Sequence, residues 1–274
     1  MPPIRIACVE YLNTAPLVEG LSKLESLTLV PTVPARIADL VRDGSADIGL
    51  CSIVDAVVGP EPLALLPVGM IGCDGPTHTV RIFSRVPLDR IEALHADAES
   101  HTSVALAQVL LARRHGVCPR VVEFDARRHA PGAPWPDAVL LIGDKVVTNH
   151  PPAERYPHQL DLGEAWKSLT GLPFVYAMWM CRSRRAAEPS LQHAAALLQR
   201  QRLRNLQRLD WIVDRHAPAA GWSIEVARRY VGELLRYSVG PRERDAVEQF
   251  FREAAHLGLL PSVEPVWGDA LAPA

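Results

Sequence analysis

The sequence predicts an α/β fold. Through the first two-thirds of the chain, short apolar runs of strand length alternate with segments whose apolar residues recur at helical spacing. Glycine and proline punctuate the boundaries between them. The last third changes character, reading as three amphipathic helices with no strand between them. Strands that alternate with helices pair mostly in parallel, in sheets covered by helices.

The elements follow in order. Ile4 to Val9 is a buried first strand, broken at Tyr11-Leu12-Asn13-Thr14-Ala15-Pro16. Asn or Thr ahead of Pro opens a helix, predicted over Leu17 to Leu24. Leu27 to Val33 is a second strand. Pro34 suits the first turn of a helix that carries Ile37, Leu40 and Val41 on one face and stops at Gly44. Ala46 to Cys51 is a third strand ending at Ser52, and Leu63 to Val68 and His78 to Ser84 are two more. Ser100-His101-Thr102-Ser103 precedes a helix over Val104 to His115, closed by Gly116. Val121 to Phe124 and Asp137 to Ile142 are strands on either side of the loop Pro131 to Pro136, and Gly143-Asp144-Lys145 ends the second of them. Pro151 to Pro157 is a connection. Phe174 to Cys181 is apolar throughout, as in a strand buried on both faces. Leu191 to Ile212, Ile224 to Tyr237 and Arg242 to Leu257 are the helices of the tail.

The 274 residues carry 29 Lys and Arg against 31 Asp and Glu, a formal charge of −2, and 48% are apolar. That is enough apolar surface for a large core, which excludes a disordered chain. The near-neutral balance excludes a general electrostatic attraction to nucleic acid. Arg200 to Arg208 is interleaved with Leu203, Leu206 and Leu209, as on a solvated helix face. Five cysteines, none in a C-x-x-C pair, predict reduced buried thiols and no structural metal. Met1 to Arg5 has no signal-peptide core, and Leu63 to Cys73 contains Pro67 and is too short to span a bilayer. A cytoplasmic protein without membrane or nucleic-acid partners is expected, as monomer or homodimer. P-loop, dinucleotide, G-x-S-x-G and H-E-x-x-H patterns are absent from the sequence.

The length accommodates two α/β lobes with chain crossings near Phe83-Ser84 and Tyr176 to Met178. Residues 1–83 plus 179–274 would form the first lobe, with the helical tail packed on it, and 84–178 the second. Ligands bind beyond the carboxyl ends of strands in such sheets. The candidate site therefore lies just after Val9, Leu50, Glu99 and Ile142.

Tyr11-Leu12-Asn13-Thr14-Ala15-Pro16-Leu17 resembles the N-terminal signature of the chorismate dehydratases of the futalosine route to menaquinone. The agreement continues, in order, in Ser100-His101-Thr102-Ser103-Val104, Leu141-Ile142-Gly143-Asp144, Asp161-Leu162-Gly163-Glu164-Ala165-Trp166 and Thr170 to Trp179. The resemblance implies the two-lobed fold of type II periplasmic binding proteins, with a ligand clamped between lobes. It also implies a reaction, the loss of water from dianionic chorismate to give 3-[(1-carboxyvinyl)oxy]benzoate. A non-catalytic binder of small carboxylates, or the paralogous 1,4-dihydroxy-6-naphthoate synthase, would use the same scaffold.

This reaction removes the ring hydroxyl and the hydrogen of the neighbouring ether carbon. That hydrogen is vinylogous to the ring carboxyl, so its abstraction gives a delocalised carbanion, and departure of hydroxide makes the ring aromatic. The scheme needs anchors, a base, help for the leaving hydroxyl and exclusion of water, and it requires no metal or redox cofactor. Ser100, Thr102 and Ser103 at a helix start offer a carboxylate cradle or a simple cap, and Ser52 a further hydrogen bond or a strand-end turn. Asn13 is the catalytic candidate. A neutral amide is too weak a base at neutral pH, so the substrate's enolpyruvyl carboxylate would take the proton while Asn13 holds the geometry. Gly143 and Asp144 follow a strand end, where Asp144 accepts a hydrogen bond from substrate or caps the next helix, and Tyr11, Phe174, Tyr176 and Met178 form an apolar wall or pack in the core. Glu10 is a second base candidate or a solvent-facing group. Arg36, Arg81, Lys145, His78 and His101 are weaker candidates for contact with the anion.

Overall fold

A computed structural model describes residues 2–97, 100–126, 128–130 and 132–268. Glu99, Pro131 and the end of the tail, 269–274, fall outside the described residues. The chain builds one sheet, crosses to a second and returns. β1 (Ile4–Cys8), β2 (Leu27–Pro31), β3 (Ile48–Ser52) and β4 (Leu63–Cys73) enter the first sheet. β5 (Val80–Ser84), β6 (Ala93–Asp97), β7 (Arg120–Phe124), β8 (Ala138–Ile142) and β9 (His158–Asp161) build the second. β10 (Phe174–Arg182) returns to the first, joined by the short β11 (Leu235–Arg236) and β12 (Val266–Trp267). The strand orders are β11-β4-β10-β3-β1-β2, with β12 also on β4, and β7-β6-β8-β5-β9. The helices are α1 (Ala15–Val18), α2 (Pro34–Asp43), α3 (His101–His115), α4 (Lys145–Thr148), α5 (Leu162–Thr170), α6 (Pro189–Leu206), α7 (Leu209–His216), α8 (Ile224–Arg228) and α9 (Pro241–His256).

Helix ends follow the sequence chemistry. Ser100 caps α3 by accepting the Ser103 N–H, and Asp161 caps α5 by accepting from Gly163 and Glu164. Gly44, Gly116 and Gly171 close α2, α3 and α5 in left-handed conformations. Gly20, at φ 85°, stops the helix expected over Leu17 to Leu24, which ends as α1 at Val18. The segment Leu191 to Ile212 is two helices, α6 and α7, rather than one. After α8 the chain winds into a π-helical turn, Arg229–Leu234, and then pairs as β11, so the tail is not purely helical.

Pairing is mixed rather than mostly parallel. β1 with β2 and β3, β6 with β7 and β8, and β12 with β4 are parallel, and the other pairs are antiparallel. The cause is the double crossing. The chain leaves the first sheet along β4 and re-enters along β10, and these neighbours pair from Phe174 opposite Cys73 to Arg182 opposite Leu63. One leaves and one returns, so they run in opposite directions.

The crossings themselves lie at 74–79 and 171–173, not at Phe83-Ser84 and Tyr176 to Met178. Val80–Ser84 is hydrogen-bonded to β8 and β9 of the second sheet, while Phe174 to Met178 belong to the first. The polar, Gly-Pro-containing stretch from Asp74 to Thr79 makes the first passage, with Gly75 at φ 134°. α6, α7 and α8 pack on the first sheet around Leu17, Leu198, Val213 and Trp222. α9 does more than cover the first lobe. It lies on β10 and on α3, and its Phe250 meets Trp166 of α5 edge-on. No helix among the described residues is long and apolar enough to cross a membrane.

Candidate active site between the two sheets

A cavity of about 210 Å³ opens between the sheets. Its walls come from strand ends, the first crossing, the start of α3 and β10. The end of β1 supplies Val9, Tyr11 and Asn13; β3 supplies Leu50 and Ser52; the first crossing supplies Thr77 and Thr79; α3 supplies Ser100 and Ser103. The end of β8 supplies Gly143, Asp144 and Lys145, and β10 supplies Tyr176 and Ala177. Nine residues singled out from the sequence, Tyr11, Asn13, Ser52, Ser100, Ser103, Gly143, Asp144, Lys145 and Tyr176, thus meet around one hollow.

Two do not. Thr102 is buried and donates its hydroxyl to the Tyr176 carbonyl at 3.0 Å, so it ties α3 to β10. Met178 is wholly buried in the core, on the Tyr176 side of β10 and packed in one cluster with Phe174 and Met180. Phe174 is likewise a core ring, stacked edge-on against Trp166, Tyr176 and Phe250. Glu10 is exposed and outside the lining. Arg81 spans β5 and β9 through Gln159 and Asp161, and Arg36 is exposed. His101 turns away from the cavity to Asp55, 2.9 Å from its Nδ1, and that bond raises its pKa. His78 adopts φ 69° and meets the edge of Trp222.

Sequence reasoning missed Thr77, Thr79 and Tyr230. Thr77 Oγ1 lies 2.7 Å from the Tyr176 hydroxyl, and Thr79 Oγ1 donates to the Tyr230 hydroxyl at 2.8 Å. Burial pushes both tyrosines above the ordinary phenol pKa, so both are neutral hydrogen-bonding groups at pH 7. Tyr230 comes from the π-helical turn, and nothing in the helical periodicity of Ile224 to Tyr237 marks it. Trp222 stacks on Tyr230 at a centroid distance of 5.0 Å and donates its indole N–H to Asp144 Oδ1 at 2.7 Å. Burial raises the Asp144 carboxyl above its usual range, against the opposing pull of Trp222 and Lys145. Lys145 is ion-paired with the buried Asp97 at the end of β6.

The arrangement suits a small anionic ring. The first turn of the fifteen-residue α3 presents a positive dipole end and the hydroxyls of Ser100 and Ser103. Lys145 contributes the one ammonium group in the lining among the described residues. Leu50, Ile71, Tyr11 and Tyr176 give flat apolar surface, and Asn13 and Ser52 add neutral polar groups. Among the described residues, no group of three or more His, Cys, Asp or Glu side chains is placed to hold a metal ion.

Two sheets joined by two crossings, with a hollow between them, define the fold of the periplasmic binding proteins. The alkanesulfonate-binding protein SsuA from Xanthomonas axonopodis pv. citri, bound to MOPS, superposes with a TM-score of 0.65 at 15% identity, covering 99% of this chain and 98% of that one. A protein from Archaeoglobus fulgidus gives a TM-score of 0.70 at 14% identity, covering 94% and 98%. These likenesses establish the fold. The family model described as menaquinone biosynthesis matches residues 4–256, and the chain belongs to that family. A Thermus thermophilus protein named chorismate dehydratase is 28% identical over 97% of this chain and 100% of its own length. A Campylobacter jejuni protein of the same name is 25% identical over 45% of this chain and 52% of its own.

Proposed function

We propose that the protein is a chorismate dehydratase, a lyase that converts chorismate to 3-[(1-carboxyvinyl)oxy]benzoate in menaquinone biosynthesis by the futalosine route. The observation that carries this reading is the convergence of the α3 terminus, Asn13, Ser52 and Lys145 on one cavity with aromatic walls. For the two carboxylates the cavity offers the α3 terminus and, beside it, Lys145, whose ammonium is paired with Asp97 just ahead of the Ser100 cap. The ring lies against Tyr11 and Tyr176. Glu10, exposed outside the hollow, is not the base. The substrate's enolpyruvyl carboxylate takes the proton from the ether carbon, and the Asn13 amide holds that carboxylate and the ring in register. The two lobes exclude water from the carbanion once closed. The protein works in the cytoplasm, a reading favoured by its five free thiols.

The test is direct. Purified protein is incubated with chorismate while the diene absorbance is followed, and the product is weighed by mass spectrometry. Turnover to a product one water lighter supports the proposal. Saturable binding without turnover identifies a carboxylate binder, and turnover only of the cyclised futalosine derivative identifies a naphthoate-forming enzyme.

A further inference from the structure

Asp144 is the one carboxyl group in the cavity lining among the described residues, and it is held from the opposite lobe. It follows β8 of the second sheet, whereas Trp222 belongs to the core on the first. The Trp222 indole can only donate, and it donates to Oδ1. Among the described residues, Oδ2 takes no hydrogen bond. Trp222 is fixed in turn. It is buried, it stacks on Tyr230 with an interplanar angle of 14°, and the Tyr230 hydroxyl is held by Thr79 of the first crossing. One oxygen of a lone carboxyl is therefore clamped, and the other is available to a ligand.

We propose that Asp144 is the general acid that protonates the departing ring hydroxyl, with Trp222 as the positioning residue that aims it. This rests on the dehydratase reading. The ether-carbon proton passes to the substrate carboxylate, the carbon–oxygen bond breaks with both electrons going to oxygen, and the Asp144 proton joins that oxygen to leave water. Asp144 ends as a carboxylate and recovers a proton from the product's carboxylic acid or from solvent. Atoms and charge balance without a further reactant.

The surroundings shift Asp144 toward its acid form. Burial already raises the Asp144 pKa, and a dianionic substrate raises it further by charge repulsion. The facing groups are Lys145, engaged by Asp97, the neutral Tyr230, and His78 beyond the Trp222 ring. Burial lowers the His78 pKa, so His78 is uncharged at neutral and alkaline pH and does not titrate on the alkaline limb.

The experiment measures kcat and KM across about pH 5 to 9 for the wild type, D144N and W222F. D144N keeps the shape of the side chain and loses the acid. It should lower kcat by roughly 10²- to 10⁴-fold, with little change in KM, and abolish the alkaline limb. W222F keeps a ring on Tyr230 and loses the donor. That donor stabilises the carboxylate, so its loss lets Asp144 stay protonated to higher pH, and the alkaline limb of kcat should move up by roughly one unit. Loss of packing alone would not move the limb. Wild-type kcat in D144N, or a W222F limb coincident with the wild type, overturns the assignment. A wild type inactive on chorismate overturns the dehydratase reading as well, so the two failures are told apart by the unmodified protein.

Discussion

Replacing Asp161 by alanine removes the carboxylate that fastens the first crossing to the second lobe. Its Oδ1 accepts from the backbone of Thr77 at 2.9 Å, Gly163 at 3.0 Å and Glu164 at 3.2 Å, and its Oδ2 from His78 at 2.7 Å. Arg81 lies 3.5 Å from Oδ2. The carboxylate is buried, so in Asp161→Ala the α5 cap is lost at about 1 kcal/mol. The Thr77 and His78 N–H groups also lose charge-assisted partners at roughly 1–2 kcal/mol each. The expected destabilisation is roughly 3–5 kcal/mol, a fall in Tm on the order of 10 °C for a chain of this size. Urea and thermal unfolding followed by circular dichroism measure it. Asp161→Asn, which retains one acceptor oxygen, should fall between. Thr77 and Thr79 line the cavity, so Asp161→Ala protein that remains folded should also bind substrate less well. A variant within about 1 kcal/mol of the wild type would refute the view that this carboxylate secures the crossing.

Other consequences follow from the same geometry. Asn13→Ala should reduce kcat by about 10²-fold or more while leaving the unfolding midpoint close to wild type, and a folded variant with full kcat removes Asn13 from the mechanism. Gly163→Ala places a Cβ inside contact distance of Thr77 Oγ1, Cys73 Sγ and the Gly75 carbonyl oxygen, so it should be destabilised or insoluble, as expression and melting curves would show. Burial pushes the Asp47 pKa up, but hydrogen bonds from Arg5 and Arg185 outweigh it and hold the group at about 2. Its stabilisation is present above the ordinary value of 3.8 and is lost as pH falls through about 2. Asp47→Asn should thus cost about 2 kcal/mol at pH 7, with the gap to wild type closing between about pH 4 and 2 in urea titrations. Burial pushes the thiol pKa values of Cys8 and Cys181 to about 12 and of Cys73 to about 11, and Cys51 is wholly buried, whereas Cys118 is exposed. A thiol reagent should label one cysteine rapidly in native protein and the other four only after denaturation.

Much of the architecture is written locally. Pro34 and Gly44 bracket α2, Ser100 and Gly116 bracket α3, and the apolar run from Phe174 forms the central β10. Strand direction is not local, because apolar runs are alike whichever way a strand points. β6 and β9 leave no apolar run because Ala93–Asp97 and His158–Asp161 carry polar residues, among them Asp97, buried against Lys145, and Asp161, which caps α5. The run Arg200 to Arg208 misled for another reason. Arg202 and Asn205 are buried while Leu203 is half exposed, since Asn205 caps the Pro16 and Glu19 carbonyls and Arg202 donates to the Val68 carbonyl. Buried polar side chains that satisfy the ends of a short helix leave no periodic trace.

The signature blocks divide in the same physical terms. The block at Tyr11 to Leu17 and the one ending at Gly143-Asp144 reach the cavity. The block at Asp161 to Trp166 builds the crossing: Asp161 ties Thr77 and His78, Gly163 permits the close approach, and the Trp166 indole donates to the Pro173 carbonyl at 2.9 Å. Thr102 resembled a ligand contact because it sits between two serines of the α3 cap, yet helical rotation turns its hydroxyl to Tyr176. Tyr230 and Trp222 were invisible because they arrive from the distant tail, and only tertiary packing brings them to Asp144.

A crystal structure of the protein with 3-[(1-carboxyvinyl)oxy]benzoate bound measures the whole account at once. The aromatic ring is expected between the two sheets, with one carboxylate on the Ser100 and Ser103 turn, and Asn13 and Asp144 each within hydrogen-bond distance of product oxygens or of the water beside the vacated ring carbon. Product seated elsewhere, or Asn13 and the α3 terminus facing away from it, would contradict it.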